Sequence, residues 1–499
     1  MLIPVDAAAH REAAKSLPLP RLLIGAQQIA TGSAGSIRQI NPATGETQAE
    51  VPMGAAPEID AAVKAARRGF EAWQALKPVQ RRDRLTRLAE LIEARIADFA
   101  RIAPLETGTS RSVFEYGMAP RIINWCKYYA GWADKVEGQV VASAAGENFE
   151  YTLPEPYGVI GHIITWNAPL LSLAMKIPPS LAAGNAVVIK PAEFTPYSAM
   201  LFAELGREAG LPDGLINVVT GGAEAGEALV KHPGVDKISF TGGPIAARKI
   251  MENAALNLTP VLFELGGKSA NLIFDDAKLD DVVPYSTMFV MNNAGQGCAL
   301  PTRLLVQERI YNDVVERVVQ AIKTLTVGDP FHPHTLVGPL VNAAARQRVL
   351  GMIDEARAQN AGRLLVGGGA VDASVGGGYF VEPTLFTDVD PHSALAQQEV
   401  FGPVLAISRF RDEAEAVAIA NSTAYGLSAY VQTHDLQRAH RLVRQLRAGT
   451  VYVNRGQPTA SAAAPFGGIG LSGFGREGGK AGLDEFVRVK GVGISVDGA

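Results

Sequence analysis

Gly158-Val159-Ile160-Gly161-His162-Ile163-Ile164-Thr165-Trp166-Asn167-Ala168-Pro169 is an apolar, β-branched run that stops abruptly at polar residues and a proline. That is the mark of a short buried strand giving way to a loop. Comparable runs follow at 186–190, 216–220 and 237–240, each bounded by Gly or Pro. The stretches between them, 196–210, 223–231 and 245–255, have helical spacing. Strand and helix therefore alternate, which predicts a parallel sheet covered by helices, with ligand sites at the carboxyl ends of its strands.

Residues 57–105 read as helical. Ile59, Ala62, Val63, Ala66 and Phe70 recur at helix spacing, and Leu85, Leu88, Leu91 and Ile92 repeat the pattern. A second α/β series runs from about 270 to 455 and includes strands at 271–274, 303–307, 404–410 and 450–454. The last segment, 486–496, alternates like a strand but belongs to neither series, so it is expected to pair with another element or subunit. At 499 residues the chain exceeds one hydrophobic core, and two or three domains are expected.

Composition narrows the function. A formal charge of −4 gives no electrostatic reason to expect nucleic acid or an anionic membrane as a partner. Two cysteines, Cys126 and Cys298, form no disulfide framework and lack metal-ligand spacing. No basic region followed by an apolar run opens the chain, and no apolar stretch is long enough to span a bilayer. A cytoplasmic enzyme is expected.

Several short motifs carry chemistry. In Asn292-Asn293-Ala294-Gly295-Gln296-Gly297-Cys298 a thiol sits among small residues that permit close backbone approach. As a thiolate it attacks carbonyls far better than a hydroxyl does. Glu264, in Val261-Leu262-Phe263-Glu264-Leu265-Gly266-Gly267-Lys268, offers a carboxylate able to activate water and release what the thiol captures. Asn167 follows the strand quoted first, where a side-chain amide can donate to an oxyanion or simply satisfy a turn. Lys190 and Glu193 close the run Val187-Val188-Ile189-Lys190-Pro191-Ala192-Glu193, placed either to bind ribose hydroxyls or to be solvated.

The turn Phe240-Thr241-Gly242-Gly243-Pro244 leads into a helix whose amides can bind a diphosphate, though it is not a G-x-G-x-x-G fingerprint. Glu399-Val400-Phe401-Gly402-Pro403 sets a carboxylate and a ring just before a strand. The Gly-rich stretch 465–473 is not followed by a Walker lysine, which argues against nucleotide hydrolysis. His162 and Cys126, inside apolar or helical surroundings, read as packing residues.

In combination and order these motifs resemble the NAD(P)-dependent aldehyde dehydrogenase superfamily. The resemblance extends from Asn41-Pro42-Ala43-Thr44-Gly45-Glu46 to Gly475-Arg476-Glu477, and the blocks at 263–269 and 295–298 are its most specific parts. It implies that Cys298 attacks an aldehyde to give a thiohemiacetal, whose oxyanion is held by the Asn167 amide and the Cys298 N–H. Hydride transfer to NAD then leaves a thioester, and Glu264 activates the water that hydrolyses it. The resemblance also implies that Lys190 and Glu193 hold the adenosine ribose and Glu399 the nicotinamide ribose. Phe401 packs near the nicotinamide, and Thr165, Trp166 and Gly243 line the cofactor site.

The chain departs from the family pattern at the phosphate turn. Phe-Thr-Gly-Ser is common there, and a glycine at the position of Ala247; here Gly243 is followed by Pro244. Glu193 would repel a 2′-phosphate, so NAD is expected over NADP. Ala168, Leu171, Met175, Gly297 and Ala299, with the loop from Arg455 to Ala464, are expected to line the substrate entrance, and the small residues among them predict a bulky or long aldehyde.

Two rival functions are a CoA-acylating dehydrogenase, which usually lacks the glutamate aligned with Glu264, and a non-catalytic protein reusing the fold. By resemblance the fold is α/β, with an NAD-binding domain (1–135 and 154–263), a catalytic domain (264–475) and an oligomerisation element (136–153 and 476–499). A homodimer or homotetramer is expected.

Overall fold

The structure is a computed structural model that describes residues 1–142, 148–372, 374–454 and 456–495. The expected α/β architecture is present as two large sheets. The first has eight strands, and its five central strands are parallel. In spatial order these are Val261–Leu265, Lys237–Gly242, Val159–Ile163, Ala186–Lys190 and Ile216–Val218. The chain therefore winds outward from Val159–Ile163 in one direction and then, from Lys237–Gly242, in the other. The strand order reverses between those two strands, and a crevice opens there at their carboxyl ends. All five residues of Val159–Ile163 and of Ala186–Lys190 are buried, as strands with helices on both faces require.

The helices expected over 57–105 are three, Ala56–Gln74, Pro78–Ala94 and Ile96–Glu106, and prolines near their starts separate the first two. Ile59, Ala62, Val63, Ala66, Leu85, Leu88, Leu91 and Ile92 are all buried, in the core that covers the first sheet. Phe70 is only partly so. Leu22–Ile24 and Gln27–Ile29, too short to show a period, extend this sheet as antiparallel strands.

The second sheet has seven strands, six of them parallel: Thr384–Thr387, Val404–Phe410, Arg303–Gln307, Ala270–Ile273, Ser428–Gln432 and Thr450–Val453. Thr384–Thr387 and Ser428–Gln432 were not expected from the sequence. Apolar clusters cover the sheet on both sides.

Only Gly266, Gly267, Lys268 and Ser269 separate the strand Val261–Leu265 of the first sheet from Ala270–Ile273 of the second. The carboxyl edge of the first sheet therefore faces the amino edge of the second. The domain boundary expected between 263 and 264 falls inside the strand Val261–Leu265, which belongs wholly to the first sheet. Gly473–Phe474 also joins that sheet, antiparallel to Val261–Leu265. Hydrogen bonding across the ladder overrides a boundary drawn from motif positions.

The orphan C-terminal segment does find a partner. Val487–Ser495 pairs antiparallel with Asn148–Pro156, and Val140–Val141 completes a three-stranded sheet. Asn148–Pro156 runs past the expected end at 153. Residues 143–147 and 496–499 of the expected oligomerisation element, and Arg455 of the expected entrance loop, lie outside the described residues. Among the described residues no helix is long and apolar enough to cross a membrane.

Candidate active site

Cys298 follows the helix Leu279–Met291 and precedes the strand Arg303–Gln307, at the amino edge of the second sheet. The segment before it is tightly folded. Asn293 and Ala294 have left-handed backbones, and Gly295 follows at φ 71°. A Cβ on Gly295 would lie 2.0 Å from the Gly402 carbonyl, so only glycine fits. Gln296 Oε1 accepts from the Val341 N–H at 3.0 Å and fixes the turn from below.

Two cavities meet at this cysteine. One, of about 630 Å³, lies at the switch point of the first sheet. Its walls include Thr165, Trp166, Gly243, Glu399, Phe401 and Cys298. The other, of about 920 Å³, is lined by Asn167, Glu264 and Cys298 among others. Cys298, Asn167, Thr165 and Thr241 form walls of both. Of the ten residues singled out from the sequence, eight line one or both cavities. Lys190 and Glu193 line neither.

Each side chain is held by identifiable partners. Asn167 Nδ2 donates to the Gln296 carbonyl at 2.9 Å, and its Oδ1 accepts from Thr165 Oγ1 at 2.8 Å. Asn293 Nδ2 donates to the Asn167 carbonyl at 3.2 Å. The amide thus has a fixed orientation and a second N–H beyond the one that Gln296 uses. Trp166 packs edge-on against Phe401, with ring centroids 5.3 Å apart, and Phe401 adopts φ 50°. Glu399 Oε1 accepts from the Gly267 N–H at 3.0 Å. Burial pushes its carboxyl up to about 7 against that bond and the charges of Lys268 and Arg348.

Lys190 ends its strand buried, with Nζ donating to the carbonyls of Gly221 at 2.6 Å and Pro191 at 3.1 Å. Burial lowers its pKa, opposed by the nearby charge of Glu193. The helix Pro244–Ala254 starts at the end of the strand Lys237–Gly242. Gly243 is its N-cap, and a Cβ there would face open space. Pro244 has no N–H, and the first intrahelical donor is Ala247, bonded to the Gly243 carbonyl at 3.1 Å. The N–H groups of Ile245 and Ala246 therefore remain free of intrahelical partners.

Glu264 is buried on the strand Val261–Leu265, and neither carboxylate oxygen has a hydrogen-bond partner among the described residues. Burial raises its pKa well above the usual carboxylate range, and Glu477 adds to the rise; Lys176 and Arg476 oppose it. Glu477 is itself buried, paired with Lys176 Nζ, which also donates to Ser239 Oγ at 2.9 Å. Gly467, at φ 155°, lies so close that a Cβ would come within 2.6 Å of Glu264 Oε1. Burial pushes the Cys298 thiol up to about 12, with Glu399, Glu264 and Glu477 adding to the effect.

Sequence reasoning placed Ala168, Leu171, Met175, Gly297 and Ala299 at the entrance, and all five line the larger cavity. It missed Met118, Arg121, Phe289, Phe466 and Glu477. Met118 closes a π-helical turn, Val113–Met118, and such turns recur beside functional sites. The others carry no local signal. His162 and Cys126 are packing residues as expected. His162 is buried with Nε2 2.9 Å from Ser180 Oγ, and Cys126 is buried in a helix.

Residues 29–492 match the model of the aldehyde dehydrogenase family. The chain is 42% identical over 456 residues to an aldehyde dehydrogenase of Emericella nidulans, covering 91% of this chain and 90% of that one. It is also 42% identical over 463 residues to the mitochondrial aldehyde dehydrogenase of Homo sapiens, covering 92% and 88%. Among solved structures it is similar to betaine aldehyde dehydrogenase from Staphylococcus aureus in complex with NAD+. There the TM-score is 0.94 at 34% identity, covering 99% of this chain and 98% of that one.

Proposed function

Since the chain belongs to the aldehyde dehydrogenase family, we propose that Cys298, Glu264 and Asn167 are the residues with which it oxidises an aldehyde to the carboxylic acid. The reaction is NAD-dependent. The observation that carries the assignment is Cys298 in the shared wall of two cavities, with Glu264, whose carboxylate has no hydrogen-bond partner among the described residues, lining the second.

The smaller cavity suits the nicotinamide end of a dinucleotide. It opens at the switch point of the first sheet, Gly243 leaves room for close approach, and the free amides of Ile245 and Ala246 suit a diphosphate. Glu399, Trp166, Phe401 and Thr165 would hold the nicotinamide end, and Lys190 and Glu193 the adenosine ribose. Glu193 supports NAD over NADP by repelling a 2′-phosphate, so KM for NADP should exceed that for NAD in initial-rate assays.

The residues act in sequence. Cys298 Sγ, as the thiolate, attacks the aldehyde carbon. The oxyanion of the resulting thiohemiacetal accepts hydrogen bonds from the Asn167 amide and the Cys298 N–H, and one such donor lowers the barrier by about 2.7–4 kcal/mol. NAD+, when bound, supplies the acceptor for the hydride whose loss turns this adduct into a thioester. Glu264 then takes a proton from water as its oxygen attacks the thioester, releasing the acid and regenerating Cys298.

The small side chains of Ala168, Gly297 and Ala299 in the wall of the second cavity support a bulky or long aldehyde. The reading includes a homo-oligomer joined through the three-stranded sheet. It also includes a cytoplasmic setting, which two free cysteines support.

The test is NADH formation with a panel of aliphatic, aromatic and polycyclic aldehydes, without CoA, using Cys298→Ala as control. The expected result is free acid from the wild type and none from the variant. A requirement for CoA, or activity surviving in the variant, would overturn the assignment.

A further inference from the structure

Arg121 is a cation in the wall of an otherwise largely apolar cavity. It sits on the helix Ala119–Ala130, and Met118, Leu171, Met175, Phe289 and Phe466 line the same cavity. Among the described residues it is the only Lys or Arg lining that cavity, and no carboxylate pairs with it. Its hydrogen bonds go to neutral oxygens. Nε donates to the Gly117 carbonyl at 2.6 Å, and Nη1 donates to the Pro458 carbonyl at 3.2 Å and Thr459 Oγ1 at 3.4 Å. Trp125 Nε1 fixes the same loop by donating to the Thr459 carbonyl at 2.9 Å. Thr459 sits at φ 58°, which is costly for a β-branched residue and indicates a loop held in place.

These bonds occupy Nε and Nη1 and leave Nη2 with two N–H groups and no partner among the described residues. A partly buried guanidinium without a counter-ion carries a desolvation cost that an anionic ligand would offset. Burial also lowers the pKa of this group from its ordinary value, though an arginine stays charged at neutral pH.

Resting on the function proposed above, we propose that the physiological substrate is an oxo-acid. Its aldehyde would lie at Cys298, and its distal carboxylate would accept hydrogen bonds from Arg121 Nη2. A carboxylate fits better than a phosphate, because one planar cation with one free nitrogen matches a single negative charge. The apolar side chains of the cavity wall would pack the methylene chain between the two ends. Arg121 is then a specificity-determining residue that touches the end of the substrate remote from the chemistry.

The test measures kcat/KM of the holoenzyme for ω-oxo carboxylates of four to eight carbons, their methyl esters, the alkanals of equal length and a phosphorylated aldehyde. In the wild type, at least one oxo-acid should exceed its own methyl ester by tenfold or more, with the gain mainly in KM. That ratio should fall to about one in Arg121→Met and recover in part in Arg121→Lys. The wild-type ratio needs no variant, so misfolding of Arg121→Met leaves the test intact. A ratio near one at every length in the wild type, a ratio retained in Arg121→Met, or a preference for the phosphorylated aldehyde would each overturn the proposal while leaving aldehyde oxidation standing. Failure to oxidise any of these aldehydes would overturn both readings.

Discussion

A thiol that burial holds near pKa 12 is almost wholly protonated at neutral pH, yet the chemistry needs a thiolate. The shift also has carboxylate contributions from Glu399, Glu264 and Glu477, so it responds to charge brought into the cavity. The oxidised nicotinamide ring is cationic, and a cation near Cys298 favours the thiolate. Alkylation of the free protein by iodoacetamide should therefore keep accelerating through pH 10, whereas an ordinary thiol levels off near about 8.5. With saturating NAD+ the plateau should move to lower pH. A free enzyme that levels near the ordinary value, or a profile indifferent to NAD+, would show that burial does not govern this thiol.

Glu264 gives the complementary case. Its pKa is raised, so its basic form is lost as pH falls through that raised value and gained as pH rises. Thioester hydrolysis in single turnovers should climb with pH above the usual carboxylate range. Glu264→Gln should keep the burst of NADH but slow steady turnover by about 10²–10⁴-fold and flatten that climb. A variant with unaltered turnover would remove Glu264 from the mechanism. Gly467→Ala should resemble it, because the added Cβ must displace either the carboxylate or a backbone segment at φ 155°.

Among the elements, the strands with continuous apolar sequence were legible. Ala186–Lys190, Arg303–Gln307 and Val404–Phe410 lie at the expected limits, because each is built round a run of apolar residues, as burial on both faces demands. Leu22–Ile24 is too short to announce itself, and Val261–Leu265 carries a glutamate that masks a fully buried strand end. Cys298, Glu264 and Asn167 were legible because special residue types sit beside glycines or strand ends. Arg121, Phe466 and Glu477 were not, since only tertiary contact brings them to the cavity.

Glu477 shows what such contacts hold in place. It is tied to Lys176, with both side chains buried, one on the helix Pro169–Ala182 and the other after the strand Gly473–Phe474. Lys176→Met would strand a buried carboxylate and should cost about 3–5 kcal/mol in denaturant unfolding. The double variant Lys176→Met, Glu477→Gln should recover much of that loss. No recovery would mean that the pair is not coupled through its charges.

For the whole molecule, the three-stranded sheet is the element least explained by the fold of one chain. Register sets Phe149 opposite Ile494, and Tyr151 between Val140 and Val492. Leu153 shares their side of the pleat, since alternate residues of a strand point the same way. Val140 is 73% exposed, Ile494 50% and Phe149 45%. A side of this size, apolar and open to water, has a solvation cost that association would remove. Val487–Ser495 and Val140–Val141 are also the free edges of the sheet, so further strands can add to it. Both features favour a second copy, because a homo-oligomer presents the same apolar patch to itself across a two-fold axis. Light scattering should find a dimer or tetramer for the wild type. Phe149→Asp with Ile494→Asp should shift it toward monomer, with the two large sheets still folded by circular dichroism. A monomeric wild type, or an oligomer indifferent to both charges, would place the interface elsewhere.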